Sequence, residues 1–233
     1  MRDDEVHVWW AALDIEASHL RSLQQTLAEE EQARAERFYV PRDRACFIAA
    51  RGLLRTILGR YLGVAPGGLR FSYNPFGKPA LAAAPGQAAL RFNLSHSHGL
   101  AVYAVTRNRE VGVDLERVRA DFAWEPLLEQ ALSAREQAVL RALPTPLKQA
   151  AFFAGWTRKE AYLKARGEGL RLPLPQIEVS LAPGEPATLL SSAGDLAEAR
   201  RWSLWELRPG PGYAAALAVE GHSSRLNCRR WPA

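Results

Sequence analysis

Apolar and polar residues alternate from Val111 to Glu116, which predicts a half-buried β-strand. Side chains two residues apart on a strand share one face, so the two valines and the leucine of this segment point into a core. The opposite face carries Asp114 and Glu116, together with Gly112, whose missing side chain leaves room for something to approach closely. The pattern therefore predicts two carboxylates beside a gap.

Apolar residues at positions 153, 156 and 163 have the spacing of a helix. Glu160 and Lys164 lie one turn apart on one face of this helix, so a third carboxylate comes with its own cation. Each of the two stretches also has a purely structural interpretation. Asp114 and Glu116 could form a solvated strand face, and Glu160 and Lys164 a surface pair contributing roughly a few tenths of a kcal/mol.

The first part of the chain alternates between predicted strands and helices. A buried strand at 7–14 precedes a polar helix at 17–38, and Asp43 is the predicted N-cap of a long amphipathic helix that ends at Gly63. Glycine, proline and asparagine mark 71–79 as a loop. The hairpin that follows has strands at 90–94 and 100–106, a turn at 96–99, and Asn108 in its tight connection to the acidic strand.

The second part begins with a capping box, Ser133-Ala-Arg-Glu136, which opens a helix that stops by Pro144 and makes Glu136 mainly structural. The helix that carries Glu160 spans 148–164 and runs out at Gly167. The remaining pattern predicts strands at 176–181, 202–208 and 213–220, a loop at 182–196, and a loose tail from residue 221.

Composition indicates an ordinary soluble globular protein. The sequence is 48% hydrophobic and 24% charged, which is ordinary for a soluble globular protein. Its 233 residues are enough for one large domain or two small ones. No apolar run approaches the roughly 18 residues of a membrane span, the N-terminus lacks the order of a signal peptide, and two cysteines are too few for a disulfide framework. We therefore predict a cytoplasmic protein with no membrane partner.

The formal net charge of +5 favours a polyanionic partner: nucleic acid, a phosphorylated cofactor or an acidic protein. The charge is dispersed, and no helix-turn-helix, zinc-finger or aromatic RNA-binding motif accompanies it, which disfavours a non-catalytic nucleic-acid-binding module. The acids suit a hard cation such as Mg²⁺, held by a few carboxylates and by substrate phosphate oxygens. These residues alone leave open an enzyme of Mg²⁺-dependent nucleotidyl transfer or phosphodiester cleavage.

Four motifs together resemble those of the 4'-phosphopantetheinyl transferase superfamily, in its larger single-chain type. They are the strand Val111 to Glu116, the helix Trp156-Thr-Arg-Lys-Glu160-Ala-Tyr-Leu-Lys164, Phe76-Gly-Lys78-Pro79, and Phe92-Asn-Leu-Ser95-His96. They occur in the family's order and cover roughly residues 30 to 175. A Mg²⁺-dependent nucleotidyl transferase or phosphodiesterase that used only the three acids would not need the last two motifs. The resemblance therefore favours the phosphopantetheinyl transferase.

The resemblance implies a fold of two pseudo-symmetric α+β halves in one pseudo-dimeric chain, which predicts a monomer. We place an N-terminal half with coenzyme A contacts at 1–107, a C-terminal half with the acids at 108–220, and a tail at 221–233. The active site would lie in the cleft between the halves.

The resemblance also implies the reaction. The phosphopantetheine arm of coenzyme A moves to a serine of an apo acyl, peptidyl or aryl carrier domain, with Mg²⁺, and adenosine 3',5'-bisphosphate leaves. Asp114, Glu116 and Glu160 match the metal ligands, and Asp114, Glu160 and Lys164 the catalytic groups, with Glu160 as the candidate base. The matches to coenzyme A contacts are Arg34, Arg51, Lys78 and His96, with Ser95 beside His96, although Arg34 and Arg51 could instead be a solvated helix face.

Overall fold

The structure is a computed structural model that describes residues 1–82, 89–119, 121–222 and 225–232, with only the backbone described at Leu170. It is a mixture of helices and antiparallel or mixed sheets, so the predicted α+β class is confirmed. In chain order, the elements up to the acidic strand are β1 (Glu5–Ala12), α1 (Ala17–Gln24), α2 (Glu29–Glu36), α3 (Pro41–Leu62), β2 (Phe71–Tyr73), β3 (Pro79–Leu81), β4 (Leu90–Ser97), β5 (Leu100–Arg107) and β6 (Val111–Arg117).

The elements after the acidic strand include the helix that carries Glu160. They are α4 (Leu128–Ala131), α5 (Ala134–Ala142), α6 (Thr145–Arg166), β7 (Ile177–Val179), β8 (Leu189–Ser192), α7 (Leu196–Arg200), β9 (Trp202–Leu207), β10 (Tyr213–Glu220) and β11 (Arg225–Arg230).

Two sheets form the centre of the molecule. The first has the strand order β11-β1-β5-β4, and the second has the antiparallel order β6-β10-β9. Val6 and Val102 of the first sheet share one buried core with Val113 and Leu217 of the second. Because this core belongs to both sheets, the division of the chain at residues 107 and 108 stays a prediction.

The long helices α3 and α6 have similar ends. Each is 22 residues long, has a proline in its first turn, and ends at a glycine in the left-handed conformation, Gly63 at φ 67° and Gly167 at φ 69°. Glycine occupies this conformation without steric strain, which makes it the usual helix terminator. These two predicted helix ends are confirmed. Within the described ranges, no helix has both the length and the apolar character needed to span a bilayer.

Two details of the predicted helices are wrong. The segment 17–38 is two helices, α1 and α2, because the chain turns at residues 25–28 and buries both Leu23 and Leu27. Asp43 is not the N-cap of α3, since Pro41 already starts that helix. A proline lacks an N–H and fits the first helical position, and Asp43 then lies in the first turn, near the positive end of the helix dipole.

The loose tail from residue 221 is also wrong. Strand β11 pairs in parallel with β1, and Trp231 beyond it is 7% exposed, with its ring 5.3 Å from that of Trp9. The polar sequence of β11 hides this strand, because most of its side chains stay exposed. The predicted loop at 182–196 similarly contains β8, which pairs with β7, and the start of α7.

Candidate active site

Helix α6 lies directly on strand β6 at Gly112. A Cβ atom at this position would be 2.1 Å from the carbonyl oxygen of Ala161 and 2.3 Å from the nitrogen of Ala165, so only glycine allows the two backbones to touch. The close approach predicted at Gly112 is confirmed, and it is the backbone of α6 that occupies the space beside the carboxylates. The same contact brings Lys164 of the helix to Asp114 of the strand.

Asp114 is the buried centre of this contact, at 3% exposure. Its Oδ1 atom accepts hydrogen bonds from Lys164 Nζ at 2.5 Å and from Ser95 Oγ at 3.0 Å. Lys164 Nζ also donates to Ser95 Oγ at 3.1 Å. The other oxygen, Oδ2, is buried and has no hydrogen-bond partner among the described residues. An unsatisfied buried carboxylate oxygen is unfavourable, and a bound cation would relieve it.

The pKa values of Glu116 and Glu160 are both raised, by burial and by the charge of Asp114. Burial raises the pKa of Glu116, and the charge of Asp114 raises it further, while Ser97 and Lys164 oppose the shift. Burial likewise raises the pKa of Glu160, with additional repulsion from Asp114 and Glu116. No hydrogen bond from the described residues reaches the Glu160 carboxylate. The acids thus repel one another and create a demand for positive charge that one lysine meets only in part.

The three carboxylates of the site fit a magnesium ion that also binds phosphate oxygens of the substrate. Across the described ranges, no three histidine, cysteine, aspartate or glutamate side chains are grouped closely enough to hold a metal ion unaided. Mg²⁺ does not need such a cage, because it commonly takes one or two carboxylates and completes its shell with water and phosphate oxygens. The Oδ2 atom of Asp114, without a partner in the described ranges, and the carboxylates of Glu116 and Glu160, which interact electrostatically with Asp114, offer the oxygen ligands that this ion prefers.

Side chains rather than backbone join β6 to β4. Asn93, Ser95 and Ser97 follow one another on the same side of β4, and each accepts a hydrogen bond from a backbone N–H of β6. A buried N–H needs a partner, and here polar side chains provide one along the edge of β6 that does not pair with β10. The donors, in the same order, are the backbone nitrogens of Val113 at 2.9 Å, Leu115 at 3.3 Å and Arg117 at 3.2 Å.

This ladder positions the acids as well as the strand. Ser95 donates to Asp114, and Ser97 donates to Glu116 Oε2 at 3.2 Å. The sequence analysis assigned only Ser95, and it missed Asn93 and Ser97. The available signal was the row of polar residues at alternate positions of β4, each 20 residues before its partner.

The predicted coenzyme A contacts fall into two groups, of which the first lines open cavities. Arg34 is exposed, with its guanidinium 5.3 Å from the centre of the Phe47 ring, and it lines two neighbouring cavities of about 670 and 520 Å³. His96 lines the smaller cavity. Desolvation by the surrounding protein and the charge of Lys164 lower the pKa of His96. Arg37 and Arg42 line the same cavities and were missed, although the density of arginines at 34–44 signalled them.

The second group is held by other protein groups. Arg51 is buried at 8% exposure, forms an ion pair with Glu31 and donates to Tyr73 Oη at 2.5 Å. Lys78 donates to Glu110 Oε2 at 2.9 Å and to two backbone carbonyls. Arg51 also lines the larger cavity, whereas Lys78 would have to break one of its contacts to reach a phosphate. Both assignments to coenzyme A stay predictions.

Comparisons with known proteins cover nearly the whole chain. A family model described as the 4'-phosphopantetheinyl transferase superfamily matches residues 110–218, and one described as 4'-phosphopantetheinyl transferase, N-terminal, matches residues 10–108. The 4'-phosphopantetheinyl transferase HetI of Nostoc sp. is 47% identical over 218 residues, covering 94% of this chain and 89% of the relative. The 4'-phosphopantetheinyl transferase psf-1 of Bacillus pumilus is 30% identical over 171 residues, covering 73% and 70%.

A solved structure, the holo-[acyl-carrier-protein] synthase of Thermotoga maritima, superposes with a TM-score of 0.36 at 22% identity. The superposition covers 50% of this chain and 64% of that one.

Proposed function

The chain belongs to the 4'-phosphopantetheinyl transferase superfamily, and on that premise we propose how its own residues perform the reaction. Enzymes of this family use coenzyme A as substrate and modify carrier proteins, so the predicted activity is confirmed. The relatives give no support to the alternatives of phosphodiester cleavage, nucleotidyl transfer or nucleic-acid binding. We propose that this chain acts on apo acyl, peptidyl or aryl carrier domains, with Mg²⁺, as a monomer.

The observation that carries the assignment of the site is the buried Oδ2 of Asp114, which has no hydrogen-bond partner in the described part of the chain and belongs to a carboxylate that repels those of Glu116 and Glu160. Asp114, Glu116 and Glu160 would hold Mg²⁺ there. Bound to them, the ion would neutralise negative charge on the pyrophosphate of coenzyme A. Lys164 lies beside Asp114 with its side chain 32% exposed, so its ammonium can reach the same phosphate oxygens and stabilise their charge in the transition state.

Glu160 is the proposed general base. Its carboxylate has no hydrogen bond from the described residues, so an oxygen that does not bind the metal remains available to take the proton. In the proposed step the carrier serine oxygen forms a bond to the β-phosphorus of coenzyme A. The bond from this phosphorus to the bridging oxygen breaks, adenosine 3',5'-bisphosphate leaves, and the serine proton passes to Glu160.

The nucleotide end of coenzyme A would lie in the two basic cavities. Arg34, Arg42 and His96 surround the 520 Å³ cavity, and Arg34 also lines the larger one. Phe38 and Phe47, with ring centres 5.3 Å apart, give both cavities an apolar wall against which a planar base can pack.

We expect Arg34→Ala to raise KM for coenzyme A about tenfold, as the loss of one charge-assisted hydrogen bond does. The effect should be smaller with dephospho-coenzyme A if Arg34 contacts the 3'-phosphate. Steady-state kinetics with both substrates decides this, and Arg44→Ala, which lies outside the lining of both cavities, is the charge-matched control. Equal losses with both substrates would move Arg34 from the 3'-phosphate to the pyrophosphate.

At a pH well above 4.5, we expect Mg²⁺ to raise the melting temperature of the protein. At acid pH this effect should disappear. The pKa values of Glu116 and Glu160 in the folded protein lie above the ordinary value of 4.5. Between the ordinary pKa and the raised pKa values, the folded state therefore binds more protons than the unfolded state. Without metal, the free energy of unfolding falls as the pH rises through this range. The cation removes this penalty only when the carboxylates are ionised. A tenfold excess over Kd should contribute about 1.4 kcal/mol.

Thermal melts across a pH series, with and without Mg²⁺, measure this effect. Asp114→Asn should remove the Mg²⁺-dependent gain. A gain that persists in this variant, or that is equal at every pH, would place the metal elsewhere.

The activity is tested by incubating the protein with coenzyme A, Mg²⁺ and an apo carrier domain, followed by intact-mass spectrometry. The carrier should gain one phosphopantetheine group as adenosine 3',5'-bisphosphate appears in equal amount. A carrier whose acceptor serine is replaced by alanine should gain nothing. Coenzyme A cleavage without labelling of the carrier would contradict the transferase assignment and favour phosphodiester cleavage.

A further inference from the structure

The loop between β2 and β3 reaches across the molecule to the C-terminal end of α6. Asn74 Nδ2 donates to the carbonyl oxygen of Gly167 at 2.6 Å, and Lys78 Nζ donates to that of Ala165 at 2.6 Å. The last carbonyls of a helix have no partner within the helix and need one from outside. We call these contacts of Asn74 and Lys78 the latch.

The latch leaves Lys78 no spare donor. Its ammonium has three N–H groups, and it also donates to Glu110 Oε2 at 2.9 Å and to the carbonyl oxygen of Val111 at 3.3 Å. The side chain is only 16% exposed. A phosphate group could engage this ammonium only if one of these three bonds broke.

Asn74 makes the loop that presents Lys78. Its Oδ1 atom accepts the backbone N–H groups of Phe76 and Lys78, both at 2.9 Å, which closes the turn. The remaining amide group then points at Gly167. A Cβ atom at Gly167 would lie 2.8 Å from Lys78 Cδ, so the loop also packs closely on the helix end.

The latch bridges the two elements that carry the catalytic groups. Lys78 holds the start of β6 through Val111 and the end of α6 through Ala165, on either side of the backbone contact at Gly112. Ala165 directly follows Lys164. A cation at the negative end of the helix dipole adds a further attraction.

We propose that Lys78 is a positioning residue that, with Asn74, fixes the approach of α6 to β6 and therefore of Lys164 to Asp114. This role replaces the phosphate contact that the family resemblance implies for Lys78, and it rests on the proposed function for the reaction itself. Asn74, which no motif singled out, shares the role.

Variants that separate the two roles of Lys78 test the proposal. Lys78→Met and Asn74→Ala should each lower kcat about tenfold, with KM for coenzyme A changed by less than about twofold. Both should lower the melting temperature. Lys148→Met removes the same charge from the N-terminal half of α6, where no hydrogen bond or ion pair to Lys148 is seen among the described residues, and should change neither.

A phosphate contact predicts the opposite pattern. Lys78→Met would then raise KM for coenzyme A, Asn74→Ala would be silent, and Glu110→Gln, which releases the ammonium from its carboxylate, would lower KM. Any of these three results overturns the latch. If Lys78→Met does not fold, Asn74→Ala and Glu110→Gln decide the question. If the parent enzyme labels no carrier, the proposed function fails instead, so the two failures are distinguishable.

Discussion

Glu160→Gln is expected to lower kcat/KM for transfer by about a thousandfold or more, because it removes both a metal ligand and the proposed base. The metal-free variant should nevertheless be at least as stable as the parent. Burial and the charges of Asp114 and Glu116 disfavour ionised Glu160, so a neutral amide of the same shape relieves the repulsion. Loss of activity with retained stability identifies a functional residue.

Asp114→Ala should be equally inactive but slightly less stable than the parent. Lys164 loses its partner, yet its partly exposed ammonium can be hydrated. Intact-mass assays measure the transfer, and circular dichroism with thermal melting measures the fold. Glu129→Gln, on an exposed surface, is the charge-matched control. A melting temperature well below that of the parent for Glu160→Gln would mean that this acid is structural.

Lys159→Met is expected to destabilise the fold by about 3–5 kcal/mol, as breaking a buried ion pair does. Lys159 is fully buried at 0% exposure, and its ammonium donates to Glu136 Oε2 at 2.5 Å and to the carbonyl oxygens of Ala131 and Leu174. Without it the carboxylate of Glu136, at 2% exposure, is left buried and uncompensated. Each kcal/mol should lower the melting temperature by about 2–4 °C in a protein of this size.

A second substitution separates lost charge compensation from lost packing. Adding Glu136→Gln to Lys159→Met should recover part of the stability, because the double variant buries no unpaired charge. Lys148→Met should melt within about 2 °C of the parent, as surface substitutions usually do. If Lys159→Met also melts within about 2 °C of the parent, the ion pair of Lys159 with Glu136 contributes little, and α6 is held by its apolar contacts alone.

Two adjacent residues of the α6 motif serve different purposes, one structural and one catalytic in the proposed reaction. Lys159 and Glu160 are neighbours on α6, and successive side chains of a helix point in different directions. Lys159 therefore enters the core with Glu136, whereas Glu160 faces the acids of β6. The resemblance predicted the helix and its acid, and the capping box predicted Glu136 as structural. The structure adds the buried partner that Glu136 needs.

The sequence predicted elements better than their contacts. Periodicity predicts β6 and α6 because it depends on neighbouring residues alone. The glycine at 112 was recognised as a close approach, but no pattern could show that α6 itself comes there. The polar row on β4 is visible in the sequence, but its partners lie 20 positions away and those of the latch 87 or more, so local spacing does not show which residues are in contact.

Charged residues are the other class that sequence assigns poorly. Arg34 and Arg51 look alike in a helical pattern, and both line the larger cavity, yet Arg34 is exposed whereas Arg51 is buried and paired with Glu31. The difference depends on where α2 packs against α3, which follows from burial of Ala35 and Ile48 and not from the arginines themselves.

A crystal structure with coenzyme A and Mn²⁺, a Mg²⁺ substitute that scatters anomalously, locates the cation directly. We expect a single anomalous peak about 2.0–2.2 Å from Asp114 Oδ2, with Glu116 and Glu160 around it and the pyrophosphate within reach of Lys164. An anomalous peak away from Asp114, or a pyrophosphate bound far from Lys164, would contradict the assignment of these residues as the active site.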